Sequence, residues 1–577
     1  MKRIAFFLIT LLTISSLYSQ NISSVQQRKL FQVVTAVNSL YVDTISDKKL
    51  VESSISGIIK DLDPHTTYTP AEEVQRMREP LEGSFEGIGV QFAIIEDTIS
   101  VAQTIAGCPA EKVGVLPGDQ IIYIDTVLMA GRKIQNSDVF KKLRGKRGTE
   151  VTIKVKRNGV KELLEFKIIR DKIPIYSVDA SYMADKNIGY IKVNSFGSTT
   201  AEEFRTALNK LKKQGMKDLI LSLQMNGGGY LGTAIELVDE FLGSGKLIVY
   251  TQGIHQARSD AEATSRGNFE NGRLVVLVDE YSASASEIAS GAIQDWDRGV
   301  VVGRRTFGKG LVQRELNLAD GSALRLTTAH YYTPSGRSIQ KPYKDGTEKY
   351  YRDILNRSIK GELMHADSIH FPDSLKFTTR ILKRTVYGGG GIMPDVFVPI
   401  DTTDYSDFHR RLSSRGVINK FTQQYVNKNR DALKKQYPSF EKFYESFEVT
   451  NDMLKELWAA AEKEKLTGDS VVNNIAELKK QIQELLAKNN RKLETNSKQL
   501  EELLKNTSEI DVSGSVKSQF EKSKRLIKQQ IKAIIASDLW TINEYYRVID
   551  SENESLQKAI EILKTPNAYE NILKKKN

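Results

Sequence analysis

The chain has 577 residues, 40% hydrophobic and 27% charged, which exceeds one ordinary domain and excludes a mainly disordered or collagen-like protein. Its 83 basic and 72 acidic residues leave a net charge of +11, but the two signs are interspersed, so the charge points to no nucleic-acid partner. The single cysteine, Cys108, excludes an intramolecular disulfide framework and any multi-cysteine zinc or iron–sulfur site.

Met1-Lys2-Arg3, an apolar run over residues 4–17 and Tyr18-Ser19-Gln20 read as a secretory signal peptide spanning residues 1–20. An uncleaved anchor is the competing reading. The run is short for a bilayer span, and no later segment offers about 20 uninterrupted apolar residues. The expectation is an exported, periplasmic-type chain with no integral membrane segment after signal cleavage.

The apolar spacing of Leu30, Val33, Val34, Val37 and Leu40, then Leu50, Ile55, Ile58 and Ile59, predicts a helical N-terminal region over residues 21–84, with Asp63-Pro64-His65 closing its helices. Residues 85–173 change texture to short β-rich runs at 88–95, 121–124, 151–155 and 163–169. Over residues 174–401 strands and helices alternate: strand 188–193, helix 200–214, strand 219–223, helix 232–242, strand 274–278, helix 285–295 and strand 300–302. That order predicts an α/β core with a largely parallel sheet, within a multidomain α+β chain. Residues 402–577 are mainly helical in pattern. Ile475, Leu478, Ile482, Leu485 and Leu486 keep a near-heptad rhythm, read either as a helix packed on its own domain or as a homo-oligomeric coiled coil.

The densest chemistry follows the strand at 274–278, in Asp279-Glu-Tyr-Ser-Ala-Ser284-Ala285-Ser-Glu287. A strand that ends in small residues and opens a helix puts a hydroxyl beside exposed N–H groups, which suits a nucleophile or an oxyanion. The same Ser284-to-Glu287 spacing is also a capping box. Twenty-five residues beyond Ser284 stands Lys309 between Gly308 and Gly310, so it has no bulky neighbours and can lie against backbone and lose solvent. Desolvation lowers a lysine's pKa, as a general base toward serine requires. A Ser/His/Asp triad stays open as a rival. So does a phosphate loop over residues 303–309, although Gly310 replaces the Ser or Thr such a loop needs. Gly227-Gly228-Gly229, after the strand at 219–223, is a turn able to offer N–H groups to an anion. Gln313 lies four residues after Lys309, roughly 13 Å along a plain strand, so contact between them needs a bend at Gly310.

Together with Leu62-Asp-Pro-His-Thr-Thr-Tyr68, Pro117-Gly-Asp119, Asn226-Gly-Gly-Gly229, Tyr332-Thr-Pro-Ser-Gly-Arg-Ser-Ile-Gln340 and Met393-Pro-Asp395, these stretches make the sequence similar to the carboxyl-terminal processing peptidases, or tail-specific proteases, over residues 30–401. These are serine endopeptidases with a PDZ domain inserted ahead of an α/β catalytic core. The resemblance implies Ser284 as nucleophile, Lys309 as general base and Gln313 as the residue orienting the lysine. It implies an oxyanion hole from the backbone N–H groups of Gly229 and Ala285, and a carboxylate-binding segment at Gly87, Ile88, Gly89 and Val90. It further implies protein or peptide substrates with free C-termini and no metal or organic cofactor. One departure stands out: the family usually shows Asp-Leu-Arg before the asparagine turn, where this chain has Ser222-Leu223-Gln224, losing an ion pair that would support the loop. A non-catalytic PDZ-containing envelope adaptor is the alternative reading.

Overall fold

The computed structural model describes residues 22–467 and 516–574. The described residues fall into two units, one within 22–74, 313–327 and 343–351, the other within 75–312, 328–342, 352–467 and 516–574.

In the larger unit a six-stranded sheet runs in the order Val178–Asp185, Ile188–Val193, Asp218–Ser222, Leu274–Val278, Val300–Gly303, Val396–Phe397. Only the first pair is antiparallel. The central strands are continuous apolar runs because both faces are covered, as parallel sheets require. On one face, Phe204, Leu208 and Leu211 of helix Thr200–Lys213, Leu237 of helix Leu231–Asp239 and Ile288 of helix Ala285–Asp295 pack against Ile191, Leu221 and Val276. Every residue of Ala285–Asp295 is buried, which explains its small side chains: a Cβ on Gly291 would lie 3.0 Å from Thr333. The opposite face is covered from the far end of the chain, by Leu556, Ala559, Ile562 and Leu563 of helix Glu554–Lys564 and Tyr569 of helix Ala568–Lys574.

A second core in this unit belongs to a small sheet in the order Val90–Ile95, Thr98–Thr104, Gln120–Ile124, Glu150–Lys156, Leu164–Ile169, with Ile99, Val101, Ile121, Ile153 and Val155 inside. The run expected at 88–95 is interrupted. Strand Ser84–Gly87 pairs instead with Asp171–Pro174, and a new strand starts at Val90, because Gly89 turns the chain at φ +82°. A Cβ there would meet Cys108 at 2.4 Å, so only glycine fits. A third core is helical and joins Phe408, Phe443, Leu457, Phe520 and Ile531 from residues 407–539. Its helix Val417–Gln436 touches the small sheet through Asn427, whose amide donates to Ser100 Oγ at 3.4 Å. The near-heptad run at 475–486 and the signal-like residues 1–20 lie outside the described residues.

The smaller unit holds helices Ser24–Leu40 and Asp47–Ile59, capped by Ser23 and Ser46. Neither helix buries a residue, and Phe31 is 73% and Leu40 82% exposed, so the apolar spacing read from sequence forms helices without forming a core among the described residues. Asp63 organises the following turn: Oδ1 accepts the N–H groups of His65 and Thr66, and Oδ2 accepts Thr66 Oγ1. Among the described residues no helix is long and apolar enough to cross a membrane.

Candidate active site

The strand Leu274–Val278 delivers the chain into a turn that Asp279 holds from inside. Its carboxylate accepts the N–H groups of Tyr281 and Ser282 and, across the turn, that of Met225 at 3.0 Å. Burial raises the pKa of Asp279, and the Met225 N–H bond opposes that shift. Three serines follow on alternate positions, and their hydroxyls differ. Ser282 Oγ donates to Leu223 O at 2.8 Å, and Ser286 Oγ donates to Asn226 O at 2.9 Å. Ser284, between them, is only partly buried and sits at φ 55°, ψ −112°, outside the ordinary range for a serine. The capping box has both halves: Glu287 Oε2 accepts the Ser284 N–H at 2.8 Å and the Glu287 N–H faces the Ser284 side chain, although the Ser284 backbone is turned out of the extended conformation an N-cap adopts. Ala285 opens the helix, where first-turn N–H groups lack an intrahelical acceptor.

The asparagine turn lies directly against this serine. Asn226 is fully buried; its amide donates to Val193 O and its Oδ1 accepts the Gly228 N–H at 2.8 Å. Gly228, at φ +102°, approaches so closely that a Cβ there would stand 2.8 Å from both Ala283 O and Ser284 Cβ and 3.0 Å from Ala285 N. Gly229 bridges to Phe196 through bonds that use Gly228 O and Tyr230 N, so those bonds do not engage the Gly229 N–H itself.

Lys309 is brought to Ser284 by two buried side chains that sequence reading did not assign to the site. Glu287, fully buried, accepts from Ser284 N at 2.8 Å, Lys309 N at 2.8 Å, Gly308 N at 2.7 Å and Thr306 Oγ1 at 2.5 Å. Burial pushes its pKa up to about 7, against the pull of those donors. The Tyr331 hydroxyl, 1% exposed, is shared between Ser284 O at 3.0 Å and Lys309 O. One carboxylate and one phenol thus fasten the backbones of Ser284 and Lys309 to each other. The glycines beside Lys309 do what their size allows: a Cβ on Gly308 would lie 3.1 Å from Gly391 N, and one on Gly310 3.0 Å from Gln340 N. A second lysine nearby, Lys341, is lowered in pKa by burial, but its Nζ lies 3.1 Å from the Asp353 carboxylate, which works to keep it charged.

The phosphate-loop rival fails, because a strand, Leu311–Asn317, follows Lys309 where that motif needs a helix N-terminus. Gln313 belongs to the smaller unit, where its amide donates to the carbonyl of His65, in the turn held by Asp63. His65 Nε2 there meets Tyr350 Oη at 2.8 Å. Gly87 ends a strand, Ile88 is buried with its carbonyl accepting Ala110 N–H, Gly89 makes the turn, and Val90 begins a strand at the open edge of the small sheet. Ser222 is fully buried, and its hydroxyl lies near that of the equally buried Tyr190. Among the described residues no group of three or more His, Cys, Asp or Glu is arranged to hold a metal ion.

Comparison with known proteins agrees with this architecture. Residues 187–349 match peptidase family S41, residues 87–168 a PDZ domain, and residues 408–490 a family of unknown function. The chain is 38% identical over 323 residues to a carboxy-terminal-processing protease of Bartonella bacilliformis, covering 55% of this chain and 73% of that one. It is 36% identical over 314 residues to the carboxy-terminal processing protease CtpA of Bacillus subtilis, covering 54% of this chain and 66% of that relative. Among solved structures, the photosystem II D1 C-terminal processing protease is 28% identical with a TM-score of 0.31, covering 55% of this chain and 91% of that one. The matches to peptidase family S41, to a PDZ domain and to the two sequence relatives define the class, a serine peptidase that carries a PDZ domain. The chain belongs to the family of carboxy-terminal-processing proteases within peptidase family S41.

Proposed function

We propose that the chain is an exported endopeptidase that cleaves proteins near their C-termini, with Ser284 as nucleophile and Lys309 as general base. The observation that carries the reading is the contrast among the three serines: Ser282 and Ser286 spend their hydroxyls on backbone carbonyls, while Ser284 sits in strained backbone fastened to Lys309 through Glu287 and Tyr331. Strain of that kind concentrates where a side chain has to be presented for chemistry.

Neutral Lys309 Nζ takes the proton of Ser284 Oγ as the oxygen bonds to the scissile carbonyl carbon. The carbonyl oxygen becomes an oxyanion, received by the N–H groups of Ala285 and Gly229, whose positions the close approach of Gly228 to Ala285 N favours. Protonated Lys309 then gives its proton to the departing amine. A water, deprotonated by the same lysine, releases the acyl group and restores the serine. By the resemblance, Gln313 is the residue that orients the lysine; its amide nitrogen donates to His65 O.

Capture of the substrate falls to the PDZ module. Gly87, Ile88, Gly89 and Val90 receive the terminal carboxylate, and the peptide adds to the edge strand Val90–Ile95. The proposed domains are a signal peptide at 1–20, a helical region at 21–84, the PDZ domain at 85–173, the peptidase core at 174–401 and a helical region at 402–577. Association of copies through helical regions belongs to the same reading, supported by the exposed Phe31 and Leu40.

One experiment tests the whole: turnover of a peptide with an apolar C-terminus, as free acid and as amide, by wild type and Ser284→Ala. Cleavage of the acid, weaker cleavage of the amide and none by Ser284→Ala are expected. Equal rates for acid and amide would remove the PDZ capture, and activity in Ser284→Ala the nucleophile.

A further inference from the structure

Ser222, Leu223 and Gln224 lead into the asparagine turn, and one of that turn's supports comes from the C-terminal region. The strand Asp218–Ser222, third of the six in the sheet, ends two residues before Gln224, the last residue before the left-handed Met225, φ 63°. The backbone of Gln224 is gripped by Lys192, 8% exposed, whose Nζ donates to Gln224 O at 3.1 Å from the neighbouring strand. Its side chain is gripped by Asn553, whose amide nitrogen donates to Gln224 Oε1 at 2.8 Å across 329 residues of sequence. The orientation of this contact follows from chemistry. Asn553 is the N-cap of helix Glu554–Lys564, and its Oδ1 accepts the Leu556 N–H at 3.2 Å, so its nitrogen faces Gln224 and Gln224 presents its oxygen.

The support is anchored at both ends. Helix Glu554–Lys564 packs on the sheet's second face, so Asn553 is fixed to the scaffold and does not sit on a free tail. Asp550, 5% exposed and three residues before Asn553, lies within electrostatic reach of Lys192, and Lys192 Nζ stands 5.2 Å from the ring centre of Tyr546. The cation that holds Gln224 O is therefore itself surrounded by groups from residues 542–553.

We infer that Asn553 is a positioning residue for the peptidase reaction: through Gln224 it fixes the asparagine turn, and with it the Gly229 N–H, relative to Ser284. This rests on the oxyanion assignment made above. Asn553 touches neither substrate nor reacting atoms; it acts on the turn alone, where a shift of a fraction of an ångström weakens a preorganised donor.

Asn553→Ser separates positioning from folding, because serine caps a helix about as well as asparagine but is too short to reach Gln224. With the full chain and a peptide bearing a free apolar C-terminus, Asn553→Ser is expected to lower kcat about five- to tenfold, with KM and Tm nearly unchanged. Gln224→Ala is expected to match it, and the double variant to be no worse than either single. Gln224→Glu, which still offers an oxygen to Asn553, is expected to retain most of the wild-type kcat. Wild-type kcat in Asn553→Ser, full additivity in the double variant, or a Gln224→Glu as slow as Gln224→Ala would each overturn the inference. Ser284→Ala is measured alongside. If it is inactive while Asn553→Ser keeps wild-type kcat, the buttress alone falls; if it stays active, the nucleophile assignment falls.

Discussion

Glu287 is fully buried, and the four donors it accepts come from a serine turn and a lysine loop more than twenty residues apart in sequence. Its proton affinity, raised by burial to a pKa of about 7 from an ordinary 4.5, has two consequences of opposite sign. The native chain binds this proton more tightly than the unfolded chain, so the group's contribution to stability grows as pH falls from about 7 toward 4.5, by up to about 3 kcal/mol. Catalysis needs the charged form, because a protonated carboxyl would turn a donor toward N–H groups that are donors already. Lowering the pH through 7 is therefore expected to slow wild-type turnover while raising its stability relative to Glu287→Gln, which has no such proton to take up. Thermal unfolding of both proteins at pH 8 and 5.5 checks this; parallel shifts would contradict it. In the sequence Glu287 was visible only as the third member of a capping box, since its bonds to Gly308 and Lys309 follow from a loop whose path no local pattern encodes.

At the scale of elements, the strand Leu274–Val278 and helix Ala285–Asp295 appear with the bounds read from sequence. A five-residue apolar run and a stretch of small residues each leave little choice of structure. The strand Thr98–Thr104 went unread because its polar and apolar residues alternate weakly, and the break at Gly89 because it depends on the approach of Cys108 from another segment. The glycine turn was legible as a turn, but which glycine meets the serine was not. Gly228 does so, at a φ of +102° that disfavours any side chain and with backbone on the far side of the missing Cβ. Gly228→Ala is expected to cost at least about 1–3 kcal/mol of stability and most of the activity, since either the turn or Ser284 must move. A variant with wild-type kcat/KM and Tm would show that the two turns are not in contact.

The composition and length announced several cores, and the larger unit has three besides the tail-covered face of its sheet. What sequence could not show is that the last helices complete the peptidase sheet, for their apolar faces name no partner. Leu556, Ile562, Leu563 and Tyr569 are each nearly fully buried there, at roughly 1.5–3 kcal/mol apiece, a sum comparable with the whole stability of an ordinary domain. A chain ending at residue 553 is accordingly expected to fail to fold cooperatively, seen as loss of the sharp thermal transition and of solubility. A truncated chain with wild-type Tm would show that the sheet stands without this cover.

The central claim is that Lys309 serves Ser284 as a base, and the pH dependence of kcat/KM for wild type and Lys309→Arg tests it most directly. Arginine keeps the positive charge and much of the length but does not give up its proton in the accessible range, so a catalyst that needs a neutral base stops. Wild-type turnover is expected to rise with pH through deprotonation, and Lys309→Arg to show no turnover at any pH while unfolding near the wild-type temperature. Substantial turnover by Lys309→Arg would contradict the claim and return the search for a base to the histidines.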